Sequence, residues 1–300
     1  MAALGEGAIT LMLGSLSQSS KNLYIQVLSK LGQFAASTLN RDKWFPTSSW
    51  IVSLYVSYMT EKGYAPSTVA SHVSVIAFFH KLLGLSDPTE QFFVKRMLLG
   101  AKKLYRTYDS RVPISLDVLK KLVDSTDFVC KSDYESALFK SMYILMFHGF
   151  MRIGEVTDSP NNIMFSNVHW STKFISVTFQ KFKHHSGFPI IISIPRSGNS
   201  FCPVLLTLSY LTRRGPDPGP LFSFPGGIPV QPRYFNIVLG NSLAWAGLSK
   251  LNIKPHSFRI GAATWAAANG YSDNQIQIMG RWKSAAFRKY IRVQMFTVPS

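Results

Sequence analysis

The chain of 300 residues is long enough to bury a substantial core, and its length favours two domains over one. Hydrophobic residues make up 46% of it, and no stretch approaches the roughly 18 apolar residues of a membrane span, which excludes a disordered or membrane-spanning chain. The 32 Lys and Arg outnumber the 15 Asp and Glu to give a formal charge of +17, which indicates a polyanionic partner.

The first predicted elements are helices. Residues 1–16 carry no basic signal region and are interpreted as a leader or a first helix. Apolar residues then recur at three- and four-residue spacing, as at Val27 and Leu31, and Ser67 is a predicted helix cap, so residues 1–106 form an all-helical bundle. Its last helix begins at Phe92 and exposes a row of cations for DNA phosphates or, alternatively, for water: Lys95, Arg96, Lys102, Lys103 and Arg106.

A polar, proline-ended segment, residues 107–113, predicts a linker between this bundle and a second domain of residues 114–300. The second domain opens with a short predicted helix through Val123, capped by Ser115 or Asp117.

A longer predicted helix over residues 132–147 ends at Gly149 and is followed at once by Arg152 and Glu155. A sheet signal comes next, because Ile175, Val177 and Phe179 alternate with polar residues and residues 188–194 form a returning strand.

The tip of this predicted hairpin is rich in cations: Lys181, Lys183, His184 and His185. Such a tip can reach into a DNA groove. His184 and His185 are adjacent and lack a third ligand, and Cys130 and Cys202 show no metal-ligand spacing, so the sequence predicts no metal site and no disulfide framework.

Residues 213–227 are rich in Pro and Gly and predict a surface loop, after which a helical pattern covers residues 231–248. His256 then starts a predicted helix that runs to Asn269. Ser272 and Asp273 cap the next helix, and Ser284 caps a last one, which would place Tyr290 two turns into it.

The positive charge is concentrated in this second half. Residues 161–300 contain fifteen Lys and Arg but only two acids, Asp217 and Asp273, so they carry +13 of the formal charge and the first 160 residues carry +4. This asymmetry predicts that a nucleic acid is bound mainly by the C-terminal part. A solvated basic surface or an anionic membrane partner is the alternative.

The residues from His256 to Tyr290 suit phosphate chemistry. Arginines hold phosphate oxygens bidentately, an imidazole with a pKa near neutrality can exchange a proton, and a phenol can attack phosphorus. Arg259 and the upstream Arg152 are the candidates for stabilising the charge that develops on the phosphate, although Arg152 could instead form a structural salt bridge with Glu155.

The order HGFMRIGE, hairpin Lys, HSFRIGAAT and GRWKSAAFRKYIR resembles the tyrosine recombinases, the lambda-integrase-like family. The second box is most similar to recombinases of eukaryotic DIRS, Ngaro and Crypton elements. The resemblance spans nearly the whole chain and implies a mainly α fold with a small β-hairpin or sheet, in which a SAM-like helical core-binding bundle precedes the catalytic domain.

The resemblance also implies residue roles. Tyr290 would be the nucleophile, Arg152 and Arg259 would bind the scissile phosphate, and His256 would accept a proton or donate to the phosphate. Lys183, or less favourably Lys181, would protonate the leaving 5′-oxygen. Lys283 and His184 are further DNA-binding candidates.

One position departs from the family pattern. The slot directly after Gly280, nine residues before Tyr290, usually holds His or Trp, but here it holds Arg281 and Trp282 follows. Either Arg281 donates to the phosphate or a local backbone adjustment brings Trp282 there. The sequence leaves both open.

The predicted activity is DNA strand cleavage and rejoining through a 3′-phosphotyrosyl link, with no cofactor, ATP or metal. Alternatives are a catalytically silent DNA-binding protein derived from a mobile element and a type IB topoisomerase-like enzyme. Double-stranded DNA is the expected partner, and the resemblance implies a tetramer on paired sites. Localisation would be nuclear in a eukaryote, although no dense Lys/Arg signal is visible.

Overall fold

The structure is a computed structural model that describes residues 2–105, 108–180 and 187–292. The described residues are mostly helical, with small antiparallel sheets, so the predicted mainly helical fold is confirmed. The chain divides into two compact units, Met1–Asp109 and Ser110–Ser300. None of the described helices is long and apolar enough to cross a membrane.

In the described part of the first unit there are five α-helices: α1 Ala2–Gly14, α2 Gln18–Leu39, α3 Ser49–Glu61, α4 Pro66–Leu82 and α5 Phe92–Leu104. Its core lies between α2, α3, α4 and α5, where residues such as Leu31, Tyr55, Ile76 and Val94 are buried. The predicted cap of α4 is wrong: Ala65 is the N-cap and Pro66 the first helical residue, a position where its missing N–H costs no hydrogen bond.

The second unit is built around α7 (Asp133–His148), which is buried from Glu135 to Phe147 except at Lys140. It packs against α6 (Leu116–Val129), α9 (Pro203–Arg214) and α11 (His256–Ala268). The remaining helices are α8 Ile153–Val156, α10 Pro232–Trp245 and α12 Asp273–Met279. Ser115 caps α6 as predicted, but α6 runs to Val129 and not to Val123, because its apolar face continues to pack on α7.

The predicted hairpin is present as β2 (Phe174–Phe179) and β3 (Ile190–Pro195), with Phe179 opposite Ile190. A short strand β1 (Val168–Trp170), not predicted, joins β2 to complete a three-stranded antiparallel sheet. The predicted hairpin tip, with Lys181, Lys183 and His184, lies outside the described residues.

The expectation of a plain surface loop over residues 213–227 is wrong. Leu221 and Phe222 are buried there, and the segment leads into a two-stranded sheet formed by β4 (Ser223–Phe224) and β5 (Ile228–Pro229). The Arg214 side chain supports this turn, because it donates to the carbonyls of Asp217, Pro220 and Leu221.

Candidate active site

The six described residues predicted to act in catalysis line one cavity of about 540 Å³: Arg152, His256, Arg259, Arg281, Trp282 and Tyr290. They come from three places in the chain: the start of α8, the first turn of α11, and the segment that follows α12. Lys283 also lines this cavity. Segments more than a hundred residues apart in sequence therefore meet here.

Arg152 occupies the N-cap of α8, where its side chain keeps 24% of its surface exposed. Its Nη1 donates to Glu155 Oε1 at 3.1 Å, and its backbone N–H donates to Glu155 Oε2 at 2.8 Å. Glu155 itself is buried. The salt bridge considered from sequence therefore exists, and it holds Arg152 at the cavity edge with part of its side chain exposed.

Arg259 is fully buried and lies in α11, one helical turn after His256. Its guanidinium donates to the carbonyls of Phe150 and Gly280, and it lies 4.0 Å from the centroid of the Trp282 ring. Burial, followed by the charges of Arg152 and Arg281, holds the pKa of Arg259 well below its ordinary value. Arg259 thus ties the loop after α7 to the end of α12.

Arg281 has a left-handed backbone conformation, with φ +54°. Its N–H donates to the Ile278 carbonyl and the Trp282 N–H to the Gln277 carbonyl, which is the hydrogen-bond pattern of a Schellman C-cap. This position usually holds glycine, and a residue with a Cβ is disfavoured there by roughly 1 to 2 kcal/mol. The left-handed turn sends the two neighbouring side chains in different directions.

The Arg281 side chain points into the domain and is 4% exposed. It donates to the carbonyls of Gly149 and Phe150 at 3.1 Å each and to Glu155 Oε2 at 2.8 Å. Its guanidinium lies 3.6 Å from the Phe179 ring centroid. Burial lowers the pKa of Arg281 to about 10, and the Glu155 carboxylate opposes that shift.

Trp282 faces the other way. Its ring stacks on that of Tyr290, with centroids 5.4 Å apart and planes 30° apart, and it covers Arg259. Gly280 makes room for it, because a Cβ on Gly280 would lie 1.5 Å from a carbon of the Trp282 ring.

Tyr290 follows the 3-10 helix Ala285–Lys289, which Ser284 caps. The prediction that Tyr290 lies two turns into an α-helix is therefore wrong. The Tyr290 carbonyl instead accepts a hydrogen bond from the Thr264 hydroxyl, which also accepts one from the Arg292 N–H. These bonds place the Tyr290 ring with its centroid 5.0 Å from that of His256.

The cavity carries an excess of positive charge. Arg152, Arg259 and Arg281 converge on it, and Glu155 is the carboxylate that contacts two of them. Such an excess favours binding of an anion with several oxygens, such as a phosphate. In residues 2–105, 108–180 and 187–292, no group of three His, Cys, Asp or Glu side chains is placed to hold a metal ion.

The DNA-binding candidates of the first unit lie on α5, which buries only Val94 and Ala101. Lys102, Lys103 and Arg96 are exposed, whereas the Lys95 ammonium contacts Glu90 at 2.5 Å. Arg106 lies outside the described residues, as do Lys181, Lys183 and His184.

Sequence reasoning missed three residues that contribute to the site and one contact of a fourth, Glu155. Phe150 has a left-handed backbone, with φ +49°, and offers its carbonyl to both Arg259 and Arg281. Gly280 and Thr264 position Trp282 and Tyr290, and Glu155 contacts two arginines where one was considered. Only Gly280 gave a signal, as a glycine beside a tryptophan.

No protein-family model matches the sequence, and no curated protein matches it. Solved structures do. A lambda integrase dimer bound to a COC′ core site matches with a TM-score of 0.64 and 12% identity over 100% of this chain and 98% of that one.

The Tn1549 transposon integrase in complex with circular intermediate DNA matches with a TM-score of 0.65 and 15% identity, over 98% of this chain and 95% of that one. The XerH site-specific recombinase in a post-cleavage complex with a palindromic difH substrate gives 0.65 and 14%, over 98% and 82%. The chain therefore has the fold of these integrases and recombinases.

Proposed function

We propose that this protein is a tyrosine recombinase that cleaves and rejoins double-stranded DNA through a 3′-phosphotyrosyl intermediate. The observation that carries the proposal is the single cavity in which Tyr290, His256 and three arginines meet. The fold shared with DNA-bound recombinases and integrases supports it.

In the proposed reaction, the Tyr290 oxygen attacks the scissile phosphorus as the bond to the 5′-oxygen breaks. The phenol proton passes to His256 or to solvent, and the 5′-oxygen leaves as a hydroxyl after taking a proton, for which the resemblance favours Lys183. The phosphodiester is exchanged for a phosphotyrosyl ester, so the bond energy is kept and the reverse attack rejoins the strand. Neither ATP nor a metal ion is needed.

Arg152 and Arg259 would stabilise the negative charge that grows on the non-bridging oxygens. One preorganised donor of this kind is worth roughly 3 to 4 kcal/mol. Arg152 already exposes part of its side chain, whereas Arg259 lies under the Trp282 ring and would contact the phosphate after that ring shifts. We assign the His/Trp slot to Trp282, because it borders Tyr290 while the Arg281 guanidinium points inward.

We also propose the finer features that the resemblance implies: an origin in a DIRS, Ngaro or Crypton-type mobile element, nuclear localisation in a eukaryote, and a tetramer on paired sites. A lambda integrase tetramer bound to a Holliday junction shares the fold, with a TM-score of 0.63 and 12% identity, which supports oligomerisation on DNA.

The test uses a pool of nicked duplex oligonucleotides of random sequence, on which cleavage traps the covalent adduct. The wild-type protein is expected to form an adduct that survives denaturation, and Tyr290→Phe is expected to form none while still binding the duplexes. Tyr271→Phe is the matched control, because Tyr271 lies in the same domain outside the cavity and should leave adduct formation intact.

An adduct that persists in Tyr290→Phe would overturn the assignment of the nucleophile. Binding without any wild-type adduct would instead favour a catalytically silent DNA-binding protein. Relaxation of supercoiled plasmid without site preference would favour a type IB topoisomerase-like enzyme.

A further inference from the structure

We infer that Arg281 is a positioning residue that orients Arg152 through Glu155 and the turn between α7 and α8. The inference rests on the proposed function for the reaction it serves, but the arrangement itself consists of contacts among described residues. It concerns the position at which this chain departs from the pattern of the recombinases that it resembles.

The Arg281 side chain points into its own domain. The Arg281 guanidinium is buried and directs its terminal N–H groups at carbonyls and a carboxylate of its own domain. The equally buried Arg259 differs, because its guanidinium lies against the cavity-lining Trp282 ring. The Phe179 ring closes over the flat face of Arg281 at 3.6 Å. Both terminal nitrogens therefore bind groups of the protein, while Nε has no hydrogen-bond partner among the described residues.

The Arg281 donors hold the turn between α7 and α8. Gly149 and Phe150 form the turn that leads from α7 to Arg152, and Arg281 binds both of their carbonyls. Phe150 has the left-handed conformation noted above, which an aromatic residue adopts only when its surroundings impose it. Arg281 and Arg259 impose it together, because each donates to the Phe150 carbonyl.

The Glu155 carboxylate links Arg281 to Arg152. Glu155 Oε2 accepts from both Arg281 Nη2 and the Arg152 backbone N–H, each at 2.8 Å, while Oε1 accepts from the Arg152 guanidinium. Without Arg281, Glu155 would be a buried carboxylate whose remaining charged partner is Arg152. The two would then pair more tightly, and the exposed part of the Arg152 side chain would turn away from the cavity.

Arg281 keeps a left-handed backbone conformation at a position where glycine fits better, and this conformation also directs the next residue. The same backbone turn that sends Arg281 inward sends Trp282 toward Tyr290. Arg281 thus positions Arg152 through its side chain and Trp282 through its backbone.

The left-handed backbone also supplies well-matched variants. Arg281→Gly and Arg281→Asn both suit a positive φ, so they remove the guanidinium without straining the turn. Arg213→Asn is the control, since the exposed Arg213 donates to Ser209 one turn earlier in α9 and does not line the cavity. Circular dichroism melting selects variants that remain folded.

The first measurement is a double-mutant cycle on the single-turnover rate of adduct formation at saturating nicked duplex. Arg281→Asn is expected to slow the rate about 10²-fold, as a misplacement of about 1 Å does, with the duplex Kd unchanged. In an Arg152→Ala background the same change is expected to cost less than about threefold, because the residue it acts through is gone. Equal losses in both backgrounds would overturn the inference.

The second measurement does not require cleavage, so it separates failure of this inference from failure of the proposed function. Orthovanadate binding to the folded protein is followed by calorimetry. Arg281→Asn and Arg281→Gly are expected to weaken the vanadate Kd by about the factor seen for Arg152→Ala, and Arg213→Asn is expected to have no effect. Wild-type vanadate affinity in both Arg281 variants would show that Arg152 keeps its place without Arg281.

Discussion

Among single residues, three arginines of the site differ in burial and in the groups that they contact. Arg281 and Arg259 are buried and bind carbonyls, while Arg152 keeps part of its side chain exposed at the cavity edge. Burying two guanidinium groups against a single carboxylate leaves an uncompensated positive charge, which a phosphate would neutralise. The cavity is thus organised for an anion before one binds.

Gly280 is the residue whose change tests the position of Trp282. In Gly280→Ala the new methyl group would overlap the Trp282 ring, so the ring must leave its place over Arg259. Overpacking of this kind costs roughly 1 to 3 kcal/mol, and we expect a lowered midpoint of urea unfolding together with a slower adduct-forming rate and a changed tryptophan emission.

The control for this change is Gly240→Ala, since a Cβ at Gly240 in α10 meets nothing within 4 Å. Alanine there should leave the rate unchanged and raise stability by about 0.5 to 1 kcal/mol. An unaltered rate in Gly280→Ala would contradict the placement of Trp282 in the site.

The residue types of the site were readable from the sequence, but their directions were not. Arg281 and Trp282 are adjacent, and a helix or a strand through them would have given a different division of roles. What decides it is a positive φ at a non-glycine residue, which local sequence rarely signals. Glu155 had likewise been considered as a partner of Arg152 alone, since its contact with Arg281 spans 126 positions.

At the scale of elements, periodicity predicted the long helices and the β2–β3 hairpin, because each buries a continuous apolar face. It failed on short elements. The strand β1 has three residues, too few to show alternation, and the segment before Tyr290 is a single 3-10 turn. A helix cap at Ser284 was predicted correctly, but where the helix ends depends on Thr264, a residue twenty positions upstream of that cap.

Thr264 tests whether that segment positions the nucleophile. Thr264→Val keeps the shape but removes the hydroxyl that joins the Tyr290 carbonyl and the Arg292 N–H. We expect a loss of about 1 kcal/mol of stability per hydrogen bond and a larger fall, at least tenfold, in the rate of adduct formation, because Tyr290 loses its fixed distance to the phosphate.

Thr264→Ser is the matched control, since it retains the hydroxyl and should keep a rate near that of the wild type. Equal rates for the Val and Ser variants would show that the Tyr290 segment is held by other contacts, such as the buried Phe287 side chain.

At the scale of the whole molecule, the chain divides into two units and carries a charge of +17. Composition alone indicated a polyanionic partner, because solvated surfaces do not require so large an imbalance.

The salt dependence of DNA binding tests the charge argument directly. Each phosphate contact contributes about −0.9 to the slope of log K against log salt, and a protein with roughly six to ten contacts loses about 10³ to 10⁵ in affinity between about 50 and 200 mM salt. We expect a loss in this range for a random-sequence duplex, measured by fluorescence anisotropy.

Lys102 and Lys103 are exposed on α5, so Lys102→Gln and Lys103→Gln should each reduce the slope by about 1. Lys140→Gln should leave it unchanged, because its ammonium already contacts both carboxylate oxygens of Asp127 at 2.6 Å. An unchanged slope in both α5 variants would show that Lys102 and Lys103 contact no phosphate.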